Sequence, residues 1–103
     1  MAHYLLIYDV VDDYVTRRAP LRDAHLAKAW AAHAAGDVVL GGALGDPVDG
    51  AALLFTGDSP AAAEQFARTD PYVLHGLVRR WTVRRWHTVV GDAAEHPVPP
   101  PAR

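Results

Sequence analysis

The chain contains no cysteine, which excludes a disulfide framework, a thiolate nucleophile and a cysteine-ligated metal site. It has no apolar run near the ~20 residues that a membrane-spanning helix needs, so no membrane partner is expected. Its N-terminus lacks a basic, leader-like stretch, and we therefore expect a cytoplasmic protein. A net charge of −2 argues against a nucleic-acid partner, because binding a polyanion favours a basic surface.

The length of 103 residues suits one small domain, since domains cluster at about 100–150 residues. A chain this short buries only about 60–70% of its unfolded surface, so a sizeable cavity is expected to need a partner subunit. Nine arginines stand against one lysine. A coding bias and the recognition of an anion by guanidinium groups both explain that excess.

The apolar patterns predict four strands and two helices. The predicted strands are His3–Val11, Asp37–Leu44, Ala51–Thr56 and Leu77–Val90. The predicted helices are Arg17–Ala35, with Pro20 in its first turn, and a second that opens at Ser59 and ends at the Asp70-Pro71-Tyr72 turn. A short linker, residues 74–76, is expected before the last strand.

This βαββαβ order is typical of a ferredoxin-like α+β domain, in which two helices cover one face of a four-stranded antiparallel sheet. We expect the domain to span residues 1–91 and a proline-rich tail to span residues 92–103. The strands carry apolar residues on both faces, and an exposed apolar sheet usually associates. A homodimer closed through its sheet faces, a dimeric α/β barrel, is therefore predicted.

The candidate chemistry rests on histidine and aspartate, with no histidine spacing that resembles a metal site. His25 lies within the first predicted helix, where the plain interpretation is a half-buried histidine with one hydrogen bond. Along the same helix Leu26, Trp30 and His33 form an apolar stripe, for which packing is expected. Asp70 precedes a proline, and the plain interpretation is a turn or helix-capping residue.

The arginines occur in pairs, of which Arg79-Arg80 and Arg84-Arg85 lie on the last predicted strand. One interpretation is an edge strand that its charges protect against aggregation. The other is a rim over the sheet that binds an anion. The sequence leaves both open.

Taken in order, several short motifs resemble the YCII-related, or YciI-like, family of the dimeric α/β-barrel superfamily. They are an R-x-x-H-L pattern (Arg22, His25, Leu26), a glycine after the helix (Gly36), GGAL (residues 41–44), a DPY motif beginning at Asp70 and a last strand ending in Trp86. The resemblance covers about residues 4–90 and implies a ferredoxin-like fold and a dimer. It also implies that His25 and Asp70 form a catalytic pair.

The resemblance implies a small enzyme that moves protons on a carboxylated or lactone-type substrate, as an isomerase or a lyase, including dehalogenation. An aspartate that binds one imidazole nitrogen leaves the other free as a general base or acid, so neither a redox cofactor nor a metal is required. Arg18 or Arg22 is expected to hold a substrate carboxylate, and Tyr8 or Tyr72 to donate to a developing oxyanion. The alternative is a non-catalytic dimeric module that binds a small ligand or regulates a partner. A cofactor-free monooxygenase has weaker support, because no residue points to oxygen chemistry.

Overall fold

A computed structural model describes residues 1–102 of the chain. Its elements are β1 (Ala2–Val10), α1 (Tyr14–Arg17), a 3₁₀ turn (Ala19–Leu21), α2 (Arg22–Ala34), β2 (Val38–Leu44), β3 (Gly50–Gly57), α3 (Ala61–Thr69), α4 (Pro71–Leu74) and β4 (Val78–Trp86). The strands form one antiparallel sheet in the order β2-β3-β1-β4. The helices lie against one face of it. This confirms the predicted ferredoxin-like α+β fold.

The core lies between the sheet and the helices. Successive side chains of a strand point to opposite faces of the sheet. On β1 every second side chain, at Leu6, Tyr8 and Val10, faces the helices and is buried. The other buried apolar residues come from the remaining elements and from the residue just before β4: Tyr14, Val38, Ala51, Leu53, Phe55, Ala63, Phe66, Ala67, Tyr72 and Leu77. Each large one stabilises the fold by about 1.5–3 kcal/mol.

The predicted helix over 17–35 is wrong in its first turns, because the structure divides that segment. α1 ends at Arg17, the 3₁₀ turn contains Pro20, and α2 begins only at Arg22. Proline lacks an amide hydrogen and its ring clashes with the carbonyl four residues earlier, so it favours a start rather than a continuation. After the break, Arg22 is the first residue of α2 and Arg18 precedes the 3₁₀ turn.

The segment after Asp70 is also more ordered than predicted. Asp70 is the N-cap of α4, and its carboxylate accepts a hydrogen bond from the backbone N–H of Tyr72. Pro71 follows at the first helical position, where its missing N–H is harmless. Part of the linker expected at residues 74–76 therefore belongs to a helical turn that ends at Leu74.

β4 ends four residues earlier than predicted, because its partner strand runs out. Trp86 pairs with His3, and β1 begins at Ala2, so residues 87–90 have no strand to extend. The chain turns back instead. The guanidinium of Arg85 holds both carboxylate oxygens of Glu95, at 2.7 and 2.8 Å, and Thr88 accepts a hydrogen bond from the Glu95 backbone.

The sheet face away from the helices carries apolar side chains from all four strands. Leu5, Ile7 and Leu54 are half-buried there, whereas Leu40 is 71% exposed and Trp86 47% exposed. Strand register places Leu5 opposite Leu54 and Leu54 opposite Leu40, so the apolar residues adjoin one another. Over residues 1–102, no helix is both long and apolar enough to cross a bilayer.

Candidate active site

His25 and Asp70 lie in direct contact although 45 residues separate them in the sequence. Nδ1 of His25, on the first turn of α2, is 2.9 and 3.0 Å from the two carboxylate oxygens of Asp70. Asp70 is fully buried, and the His25 side chain is 14% exposed. Because a carboxylate only accepts hydrogen bonds, Nδ1 carries the hydrogen and donates it.

Asp70 accepts two further hydrogen bonds inside the protein. The Tyr8 hydroxyl donates to Oδ2 at 2.7 Å, and the Tyr72 backbone N–H donates to Oδ1 at 3.0 Å. A buried charge is costly unless it is hydrogen-bonded, and three donors from β1, α2 and α4 meet that requirement here. The carboxylate is therefore fixed in position and in turn fixes the imidazole tautomer.

Aromatic rings hold the imidazole from two sides. The Tyr72 ring is stacked on the His25 ring, with centroids 4.0 Å apart and planes 11° apart, and Phe66 meets it edge-on at 6.2 Å. Tyr14 packs edge-on against Tyr72 at 5.5 Å and completes the cluster. With Nδ1 bound to Asp70 and one ring face stacked on Tyr72, the ring nitrogen left for chemistry is Nε2.

A groove of about 320 Å³ runs between α2 and the β2–β3 hairpin, and His25 lies in its wall. The predicted stripe of Leu26, Trp30 and His33 lines this groove rather than the core. Trp30 is 67% exposed, and α2 buries none of its residues completely. The packing role expected for His33 is thus replaced by a hydrogen bond: its Nδ1 lies 2.7 Å from the Val38 carbonyl and ties α2 to β2.

The opposite wall and floor come from β2 and β3. Leu53 and the Gly41-Gly42 pair line this side of the groove. A Cβ atom added at Gly41 would lie 3.1 Å from the Leu53 side chain, whereas a Cβ atom added at Gly42 would meet no atom within 4 Å. The sequence marked GGAL as a motif without a role. Its position beside the groove is a feature that sequence reasoning missed, since only the folded hairpin brings β2 opposite α2.

Two arginines lie at the same end of the groove as His25. Arg18 and Arg22 both line it, and the Arg18 guanidinium carbon is 5.2 Å from the centre of the Tyr14 ring. Within residues 1–102 neither side chain forms an ion pair. Their guanidinium groups therefore remain available to an anion from solution.

Tyr8 does not occupy the position expected of a substrate contact. It lies beneath Asp70, is 1% exposed and does not line the groove, and its hydroxyl is already used by the carboxylate. Burial, and next the hydrogen bond to Asp70, raise the pKa of the Tyr8 hydroxyl far above its ordinary value, so it stays protonated. Tyr72 does line the groove, and burial raises its pKa above the ordinary 10.0, so its hydroxyl also remains a donor.

The arginines of β4 stand apart from the groove. β4 lies at the edge of the sheet, which agrees with the interpretation of its arginines as charges on an edge strand. Arg79 forms an ion pair with Asp12 at 3.0 Å, and Arg85 forms one with Glu95.

Within the described part of the chain, no three histidine, aspartate or glutamate side chains are grouped so that they could hold a metal ion.

Comparison with known proteins identifies the family. Residues 1–87 match the model of the YCII-related domain. None of the curated proteins matches this chain.

Two solved structures are similar in fold. One is 5-chloro-2-hydroxyhydroquinone dehydrochlorinase (TftG) from Burkholderia phenoliruptrix AC1100, in complex with 2,5-dihydroxybenzoquinone. It has a TM-score of 0.69 and 22% identity over 84% of this chain and 94% of that one. The other is a protein from Agrobacterium tumefaciens, with a TM-score of 0.58 and 14% identity over 93% of this chain and 99% of that one. The family model covers most of the sequence, so the resemblance seen in the motifs is confirmed and the chain belongs to the YCII-related domain family.

Proposed function

We propose that the protein is a cofactor-independent enzyme in which His25 transfers a proton to or from a small anionic substrate in the groove. The observation that carries the proposal is the hydrogen bond between Nδ1 of His25, a residue that lines the groove, and a fully buried aspartate. A histidine that merely packs needs no buried carboxylate with two further donors. Positioned acid–base groups of this kind typically contribute ~10²–10⁴-fold in rate.

In this reaction Nε2 of His25 removes a proton from a carbon beside a carbonyl group. For elimination, the C–H electron pair forms a carbon–carbon double bond while the bond to a halide or other leaving group breaks and takes its electrons. For isomerisation, the same proton returns to a different carbon. The Asp70 carboxylate, hydrogen-bonded to Nδ1, stabilises the imidazolium that forms. These steps move only protons and electron pairs within the substrate, so they call for no redox cofactor.

The groove supports a small, partly apolar anion as the substrate. Arg18 and Arg22 are free to bind a carboxylate or another oxyanion beside His25, and the Tyr72 hydroxyl is available to donate to the oxyanion that develops at the carbonyl. Leu26 and Trp30 offer an apolar wall for the rest of the molecule. The similar fold of a dehydrochlorinase that binds a quinone supports a dehalogenation within this class.

The same proposal includes a homodimer closed through the open sheet faces. Its support is the row of adjoining apolar side chains on that face, Leu5, Ile7, Leu54, Leu40 and Trp86, because apolar residues grouped on an exposed sheet face mark a site of association. Sedimentation of the wild type is expected to give twice the chain mass, and Leu54→Arg to give a monomer. A monomeric wild type at high concentration would contradict this part of the proposal.

The deciding experiment is a screen of small lactones, halogenated carboxylates and chlorinated hydroxyquinols against the wild type, His25→Ala and Asp70→Asn. We expect turnover of one class by the wild type and a loss of ~10²-fold or more in each variant. Full activity in both variants would refute the assignment. Binding without turnover, together with a lowered melting temperature as the main effect of both variants, would favour the non-catalytic ligand-binding module instead.

A further inference from the structure

Tyr8 joins the inner strand β1 of the sheet to the candidate site through its hydroxyl group. On β1 it pairs with Ala51 of β3 on one side and Trp81 of β4 on the other, so its backbone is held from both edges. Its ring is 1% exposed, and its hydroxyl reaches up to Asp70 at 2.7 Å. By contrast, His25 and the Tyr72 amide approach the carboxylate from the helix layer.

We propose that Tyr8 is a positioning residue, which holds the Asp70 carboxylate in the orientation that fixes His25 for proton transfer. The inference rests on the proposed function of His25, but the contact it concerns exists without any substrate. Tyr8 itself does not line the groove, so it acts through Asp70 and not on the reacting molecule.

The hydrogen-bond pattern explains why a third donor is needed. Nδ1 of His25 is almost equally far from both carboxylate oxygens, 2.9 and 3.0 Å, so this bond alone does not select a rotation of the carboxylate. The Tyr72 amide fixes Oδ1, and the Tyr8 hydroxyl fixes Oδ2. With the two oxygens assigned to separate donors, the carboxylate plane is set and the Nδ1–H has one direction in which to point.

The hydroxyl is a dependable donor in this place. It lies in the core with Leu6 and Val10 on the same face of the strand, and burial holds the pKa of Tyr8 well above the ordinary 10.0. The hydroxyl group therefore keeps its proton at neutral pH. Within residues 1–102, its only hydrogen-bond acceptor is the Asp70 carboxylate. A side chain at this position that cannot donate would leave Oδ2 to His25 alone.

The test compares Tyr8→Phe with the matched control Tyr4→Phe. Tyr4 is on the same strand and the same face, four residues earlier, and its ring packs near Arg85 without lining the groove. Loss of an outer partner of a functional side chain typically lowers activity by ~10–100-fold. We expect that loss in kcat for Tyr8→Phe with KM unchanged, and wild-type values for Tyr4→Phe. An equal kcat in both variants, or a change in KM alone, would overturn the proposal.

A second measurement does not depend on a substrate. Nitrogen-15 NMR of the His25 ring is expected to give an Nδ1–H that exchanges slowly with water in the wild type and in Tyr4→Phe, but rapidly in Tyr8→Phe. Incorporating 3-fluorotyrosine in place of Tyr8 keeps the hydroxyl and should restore slow exchange, which separates the lost donor from any general loss of stability. Slow exchange in Tyr8→Phe would refute the positioning role, even if His25 proved catalytic. Conversely, rapid exchange in Tyr8→Phe with no turnover by the wild type would leave this inference intact and refute only the proposed function.

Discussion

Replacing Asp70 by alanine is expected to destabilise the fold strongly, independently of any reaction. The substitution removes the acceptor for three donors: Nδ1–H of His25, the Tyr8 hydroxyl and the Tyr72 amide. His25 is 14% exposed and can turn to water in the groove, but the other two donors lie in residues that are 1% and 2% exposed. A buried donor without a partner costs about 1–3 kcal/mol, so the two together cost about 2–6 kcal/mol.

Asparagine at the same position should be far milder. Its amide oxygen can still accept from Tyr72, and the Tyr8 hydroxyl can rotate to accept from the amide nitrogen. Charge-assisted bonds weaken to neutral ones, which costs about 1 kcal/mol each, while removal of a buried charge offsets part of that loss. We therefore expect Asp70→Asn to lose about 1–2 kcal/mol and to stay folded, which makes it the better variant for kinetics.

Urea denaturation monitored by tryptophan fluorescence measures both values. Asp58→Ala, at an exposed carboxylate, is the control and should stay within about 0.5 kcal/mol of the wild type. For a domain of this size 1 kcal/mol corresponds to about 4–8 °C in Tm, so Asp70→Ala should melt at least about 8 °C lower. A cost below about 1 kcal/mol would mean that the three donors do not depend on Asp70, and the account of the site would fail.

Three further predictions concern the core, the groove and the tail. Leu6 on β1 is fully buried, so Leu6→Ala should lower the unfolding free energy of the protein by about 2–5 kcal/mol. Leu74 is 66% exposed, so Leu74→Ala should lower it by less than about 0.5 kcal/mol in the same urea titration. Arg22→Ala should raise KM for an anionic substrate by about 10-fold or more with little change in kcat, because an ionic hydrogen bond contributes about 1.5–3 kcal/mol; an unchanged KM would exclude it from binding. Arg85 holds the pKa of Glu95 below its ordinary 4.5, so the carboxylate stabilises the folded tail at neutral pH and loses that effect as pH falls through the lowered pKa. Faster amide exchange in residues 95–98 of Glu95→Gln is therefore expected at pH 7, with no difference from the wild type once Glu95 is protonated in acid.

The strand and helix order could be predicted from the sequence because most signals are local. The apolar run of β1, the turn between β2 and β3 and the Ser59-Pro60 pair just before α3 each depend on a few neighbouring residues. The end of β4 could not be predicted in this way. It depends on where β1 begins, and the partner His3 is 83 residues away from Trp86.

The candidate site, like the fold, could be predicted from the sequence only in part. The motif resemblance brought His25 and Asp70 forward as a pair, and the structure places them in contact. The sequence could not assign Tyr8 correctly, because a tyrosine on a buried strand looks the same whether it faces a groove or lies beneath a carboxylate. The expectation that the stripe containing Trp30 packs in the core was wrong for a related reason. Helical periodicity identifies an apolar face of a helix, but not whether that face contacts the core or a groove.

The most direct test of the central claim is the kcat of His25→Ala on the substrate that the screen identifies, measured beside His75→Ala. His75 is exposed at the end of α4 and does not line the groove, so it controls for the loss of a histidine. The account predicts a fall of ~10²–10⁴-fold for His25→Ala and wild-type turnover for His75→Ala. Wild-type turnover by a folded His25→Ala would contradict the claim that this histidine carries the proton.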